Sequence, residues 1–249
     1  LKLITVANQK ALSQRAAKAI SDFIHEKPQA VLGLATGGTP EGTYKELVED
    51  YNKNHTSYKQ VTTVNLDEYV GLIQDDPNSY HHYMKEKLFN HVDLRADHCF
   101  LPDGNAASLK EACLKYDRLI EHLGGIDLQL LGIGQNGHIG FNEPGTPHDI
   151  GTHVVTLTPS TRAANARYFS SLSEVPEKAI TMGIGTILKS KAILLIASGK
   201  AKAEAMKELL SSTKSDEKFP ASALIQHPNV TIIADEAALS LVPGKVVRP

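Results

Sequence analysis

The sequence predicts an α/β fold: a single domain on a mostly parallel, helix-covered open sheet, Rossmann-like in layout. Three observations predict it. Short apolar runs of β type alternate with longer stretches of helical periodicity. The runs are apolar at consecutive positions, as in Leu128-Gln129-Leu130-Leu131 and Ala192 to Ala197, which is how strands covered on both faces read. The 249 residues carry no repeat, low-complexity tract or Pro/Gly/Ser-rich linker, so one large core, 1–249, accommodates the chain.

Taken in order, a helical pattern over 10–25 precedes a strand at 30–35. Gly37 and Gly38 then permit a tight turn, Thr39 suits an N-cap, and Pro40 suits a first helical position, so a helix is expected over 40–53. A strand at 61–66 leads to helices near 78–91 and 106–123, and a third strand follows at 127–133. The strand at 192–197, a helix over 200–211 and a strand at 229–233 complete the pattern.

The formal net charge of −2 and isoelectric point near 6.6 give no broad basic field, so neither nucleic acid nor an acidic membrane surface is an expected partner. No apolar run approaches the length of a membrane span and no signal core opens the chain, so a cytoplasmic location is expected. Cys99 and Cys113 show neither zinc-site nor redox spacing, and no metal is expected.

Ligands of open α/β sheets bind beyond the carboxyl ends of the strands, and four such ends carry chemistry. The first, "LGLATGGTPEGTY" (32–44), presents helix-start amides at Gly38 and Thr39 that suit a phosphate, without the Gly-Lys-Ser/Thr ending of a nucleotide-binding loop. The second, "TTVNLDEYVGL" (62–72), places Asp67 and Glu68 at the mouth of the sheet with opposed side-chain directions, so that one faces a ligand.

The third end, "LLGIGQNGHIGFNEPG" (130–145), contains a literal G-x-G-x-x-G. A dinucleotide site needs a helix to start there and an acidic residue about 20 positions on, whereas Pro144, Gly145 and Pro147 follow. The glycines instead let the backbone bend so that Asn136, His138 and Glu143 converge. His138 suits proton transfer, with Glu143 to orient it, while His81-His82 reads as a helix-surface feature. At the fourth end, "LLIASGKAKAEAMKELL" (194–210), Lys200 and Lys202 open a helix, a placement that favours a bound anion. "TPSTRAANARYF" (158–169) adds Arg162 and Arg167 on a short helix.

With these segments assembled, the chain resembles the glucosamine-6-phosphate deaminase (glucosamine-6-phosphate isomerase) family, short bacterial type. The motifs "LGLATGGTP", "NLDEYVGL", "GIGQNGHIGFNEPG" and "TRAANARYF" occur in the family's order across nearly the whole chain. The related 6-phosphogluconolactonases typically have Asp-Glu-Arg at Asp67-Glu68-Tyr69 and Gly-His-Thr-Ala-Ser at Gly137 to Phe141, and both differences favour the deaminase.

The resemblance implies conversion of glucosamine 6-phosphate and water to fructose 6-phosphate and ammonia in amino-sugar catabolism, with no cofactor. It places the proton-shuttling acid at Asp67, the ring-opening histidine at His138 with Glu143 as its partner, and a positioning amide at Asn136. Phosphate contacts fall on Gly38, Thr39, Arg167 and Lys202. It also implies a mobile lid at about 158–187 and a monomer or small homo-oligomer. Allosteric members carry a basic pair where this chain has His153 and Val155, so activation by N-acetylglucosamine 6-phosphate is not expected. The alternatives are a sugar-lactone hydrolase, in which His138 would activate water, and a non-catalytic sugar-phosphate sensor.

Overall fold

The computed structural model describes residues 1–166 and 169–244. Its elements are β1 (Lys2–Val6), α1 (Gln9–Glu26), β2 (Val31–Leu34), α2 (Gly38–Asn54), β3 (Thr62–Asn65), β4 (Asp67–Tyr69), α3 (Tyr80–Lys87), β5 (Cys99–Phe100) and α4 (Leu109–His122). They continue with β6 (Leu128–Leu131), β7 (His153–Thr156), α5 (Pro159–Asn165), β8 (Lys178–Thr181), α6 (Ile184–Leu188), β9 (Ile193–Ala197), α7 (Ala203–Ser211) and β10 (Val230–Asp235).

Seven strands form one parallel sheet in the order β1-β10-β9-β6-β2-β3-β5. The unbroken apolar runs have the cause expected of them: successive residues face opposite layers. In β9, Ile193 and Leu195 pack with Ile120, Ile187 and Met206 on one side, while Leu194 and Ile196 pack with Leu12, Ile20 and Leu47 on the other. The chain leaves β2 toward β3 and β5 on one side and returns through β6, β9 and β10 on the other. The switch therefore falls between β2 and β6, and the crevice beyond their carboxyl ends is where such sheets bind ligands.

Several boundaries differ from the sequence expectation. The strand β1 was not expected; it is an edge strand, paired with β10 and only half-buried over most of its length. The helix expected over 78–91 ends at Lys87 and passes into a 3-10 turn, Phe89–His91. The helix expected over 106–123 starts at Leu109, because the Ser108 hydroxyl caps it by accepting from Glu111 N. Thr39 is not the cap of α2. Gly37 is, at φ 101°, a left-handed conformation open to glycine, so the helix begins at Gly38 with no side-chain cap on its first amides.

A second, three-stranded sheet, β4-β8-β7, is antiparallel and was not expected either. Its register sets Asp67 opposite Thr181 and His153 opposite Thr181 on the other side. β8 is its central strand, with Ala179, Ile180 and Thr181 buried. The last third of the segment expected as a lid, about 158–187, is thus interior sheet and helix.

Candidate active site

Because the sheet is parallel, the carboxyl ends of β2, β3, β6 and β9 open on one edge, and the four segments singled out from the sequence all leave from it. At the first, the turn before α2 is held by Tyr83, whose Oη donates to Gly37 O at 2.7 Å, and by Tyr44, which donates to Ala35 O. Gly38 and Thr39 lie in the first turn of α2, where unpaired amides and the helix dipole favour an anion.

At the second, Asp67 and Glu68 diverge as expected of strand neighbours. Glu68 turns to the start of α3 and accepts from Tyr80 N at 3.0 Å, His81 N at 3.0 Å and the His81 ring at 2.8 Å. His81 is accordingly no surface feature but the partner of a buried carboxylate. Asp67 points the other way. A methyl group placed on Gly140 would stand 3.7 Å from Asp67 Oδ2, so the carboxyl faces the loop after β6. Burial, with the charge of Glu68 adding to it, pushes the Asp67 pKa up to about 8.

The loop after β6 forms no helix, which removes the dinucleotide reading of its glycines. Two of them have steric duties instead. A side chain at Gly134 would meet the His138 ring at 2.2 Å, and one at Gly137, where φ is 81°, would meet Phe219 at 2.2 Å. Asn142 Nδ2 ties the loop down by donating to Ile139 O and Met182 O.

His138 Nδ1 stands 2.7 Å from Asn136 Oδ1, and Asn136 Nδ2 donates to Glu143 Oε2 at 2.7 Å. An ionised carboxylate only accepts, so Glu143 fixes which way the amide points. The amide oxygen then requires a proton on His138 Nδ1, leaving Nε2 to exchange protons with a ligand. Glu143 itself is 3.7 Å from Nδ1. The His138–Glu143 pairing expected from the sequence is present at this longer distance, and Asn136 bridges the two groups by hydrogen bonds to both. Burial holds the His138 pKa below its ordinary value; Glu143 opposes this and Lys202 adds to it.

That electrostatic contact brings the fourth segment to the same volume. Gly199, at φ 87°, turns the chain after β9 into the 3-10 turn Lys200–Lys202. Asp235, at the end of β10, anchors the turn by accepting from Ser198 Oγ at 2.5 Å and Gly199 N at 3.0 Å. Arg162 does not point to an anion: its Nη2 donates to Val175 O at 2.8 Å and Leu172 O at 3.3 Å. Arg167 lies outside the described residues. Thr161, which the sequence reading passed over in favour of the neighbouring arginines, donates to Glu143 Oε1 at 2.7 Å. Asn165 donates to Tyr69 Oη at 3.0 Å, so α5 touches the site twice. Among the described residues no cluster of metal-ligating side chains occurs.

The family of glucosamine-6-phosphate isomerases/6-phosphogluconolactonase matches residues 6–233, spanning every one of these segments. The chain belongs to this family. A glucosamine-6-phosphate deaminase from Geobacillus sp. (strain WCH70) is 58% identical over 245 residues, 98% of this chain and 97% of the relative. The solved structure of a monomeric glucosamine-6-phosphate deaminase is 56% identical, superposes with a TM-score of 0.95, and is covered over 97% of this chain and 100% of that one. The 6-phosphogluconolactonase from Trypanosoma brucei shares the fold alone, at 18% identity and a TM-score of 0.78 over 96% of this chain and 97% of that one. Among the described residues no helix is long and apolar enough to cross a membrane.

Proposed function

We infer that this chain is a glucosamine-6-phosphate deaminase, converting glucosamine 6-phosphate and water to fructose 6-phosphate and ammonia. The observation that carries the reading is the pairing of two proton-transfer devices across one loop: the His138–Asn136–Glu143 relay, and the buried carboxyl of Asp67 against Gly140.

The sugar must open before it can isomerise. His138 Nε2 takes the proton of the C1 hydroxyl and gives it to the ring oxygen, and the charge of Glu143, transmitted by Asn136, stabilises the imidazolium in between. The C1 aldehyde acidifies the proton on C2. Asp67 removes that proton and returns it to C1 through an enolamine, and a carboxyl with a pKa near 8 is matched to such a transfer at neutral pH. Water adds to the resulting C2 iminium, and ammonia leaves. The electrons redistribute within the sugar, so no external oxidant or reductant enters.

The first amides of α2 at Gly38 and Thr39, with Lys202 and Arg167, hold the phosphate at the far end of the sugar. Binding energy spent there positions C1 and C2. Mobility of the cover is proposed for the described residues of 158–166 and 169–177, since β8 begins at Lys178 inside a paired sheet.

Purified protein incubated with glucosamine 6-phosphate, without added cofactor, tests the reading beside hydrolysis of 6-phosphogluconolactone. Equimolar ammonia and fructose 6-phosphate without lactone hydrolysis supports it. Lactone hydrolysis alone moves the chain to the other branch of its family, and sugar-phosphate binding with neither activity makes it a sensor.

A further inference from the structure

We propose that Thr161 is a positioning residue for the His138 relay, acting by holding the carboxylate of Glu143 in the one orientation that leaves Asn136 between acid and imidazole. The proposal rests on the deaminase reading for its kinetic consequence and on the hydrogen-bond geometry for its cause. Glu143 has two oxygens with two assignments: Oε2 accepts from Asn136 Nδ2 and Oε1 accepts from Thr161 Oγ1, both at 2.7 Å. Thr161 Oγ1 in turn accepts from Thr158 Oγ1 at 2.9 Å, the hydroxyl that caps α5. A hydroxyl has one proton to give, and that of Thr161 is committed to the carboxylate.

The chain of bonds therefore runs in one direction from each end: Thr158 to Thr161 to Glu143, and His138 to Asn136 to Glu143. Glu143 is the common acceptor. Its Oε2 is 3.7 Å from His138 Nδ1, close enough to feel the ring's charge and too far to bond it. Without the Thr161 hydroxyl, Oε1 loses its partner and the partly exposed carboxylate can rotate, either closing that gap and displacing the amide or turning to water. Either movement changes how Nε2 is presented to the sugar. The other charged group facing His138 is Lys202, from the turn after β9, and Asp67 faces Gly140 of the same loop.

Valine replaces threonine with the same shape and no hydroxyl, and serine keeps the hydroxyl while losing the methyl. Steady-state kinetics of Thr161→Val, Thr161→Ser, Asn136→Ala and the Thr161→Val/Asn136→Ala pair read the coupling. The expected result is a loss of roughly 10-fold or more in kcat for Thr161→Val, the worth of a hydrogen bond to a charged group, with KM little changed. Thr161→Ser recovers most of that loss, and Thr161→Val costs nothing further once Asn136 is gone. Full activity in Thr161→Val, an equal loss in Thr161→Ser, or losses that add in the double variant overturns the proposal.

A second readout needs no turnover. NMR titration of the His138 imidazole in the wild type and in Thr161→Val reports the relay even if the protein fails to deaminate. A displacement of its titration by about half a unit or more sustains the coupling, and coincident curves with the same tautomer refute it. Inactive wild-type protein would by itself overturn the deaminase reading alone.

Discussion

Asp67 and Glu68 are adjacent in β4 and opposite in environment: Glu68 accepts two amides and the His81 ring at the start of α3, while Asp67 is buried against the loop after β6 with its pKa raised to about 8. The raised value has a consequence for stability. In the unfolded chain Asp67 ionises near 3.8, so between that value and about 8 the folded protein holds a proton that the unfolded chain has lost. Folding stability then falls as pH rises through this window, and above it the buried charge is fully present. Asp67→Asn removes the charge. Its Tm should gain on that of the wild type as pH rises from about 4 to 9, by roughly 10 °C or more over that range. An offset between the two that stays constant with pH would contradict the raised pKa.

Gly134 is tested by a single methyl group. In Gly134→Ala the new carbon lies 2.2 Å from the His138 ring, which must move or the loop must shift. The expectation is a folded protein with kcat reduced roughly 100-fold, since a misplacement of about 1 Å at a reacting group costs that much. Circular dichroism and melting establish the fold, and near wild-type kcat would show that the ring's position is not critical.

Lys202 separates binding from chemistry. Lys202→Met removes a cation from the turn that faces His138. If it holds the phosphate, KM should rise roughly 10- to 100-fold with a smaller change in kcat, and inorganic phosphate should inhibit the variant more weakly. Unchanged inhibition by phosphate would remove Lys202 from the binding set.

Activation by N-acetylglucosamine 6-phosphate should be absent. His153 and Val155, at the positions of the basic pair in allosteric members, sit in β7, and His153 Nδ1 is engaged with Gly151 O at 2.8 Å. Substrate saturation curves with and without that compound should superimpose. A clear drop in the half-saturating substrate concentration would show that an activator site exists despite these two residues.

Much of the site was legible because a parallel sheet concentrates it at strand ends. Unbroken apolar runs located β2, β3, β6 and β9, and the segments that follow them carry Gly38, Asp67, Asn136, His138 and Lys202. What the sequence did not disclose was set by contacts between segments far apart in the chain. The three residues of β4 are too few to show alternation, and their sheet is completed by β8, more than 100 residues on. His81 looked like half of an exposed pair because its partner, Glu68, comes from before the helix, and the arginines beside Thr161 drew the reading away from the residue that reaches Glu143. The sequence placed Asn136, His138 and Glu143 in one loop but did not disclose the bridge among them, since spacing alone does not say that the amide stands between ring and carboxylate.

The central claim is that Asp67 moves the proton from C2 to C1. The most direct measurement is ammonia release from glucosamine 6-phosphate by wild-type protein and Asp67→Asn side by side, with inorganic-phosphate binding measured on both. Ammonia in step with fructose 6-phosphate from the wild type, and loss of turnover by roughly 100-fold or more in the variant with phosphate binding kept, is the predicted result. Turnover by Asp67→Asn near that of the wild type would mean that another group carries the proton.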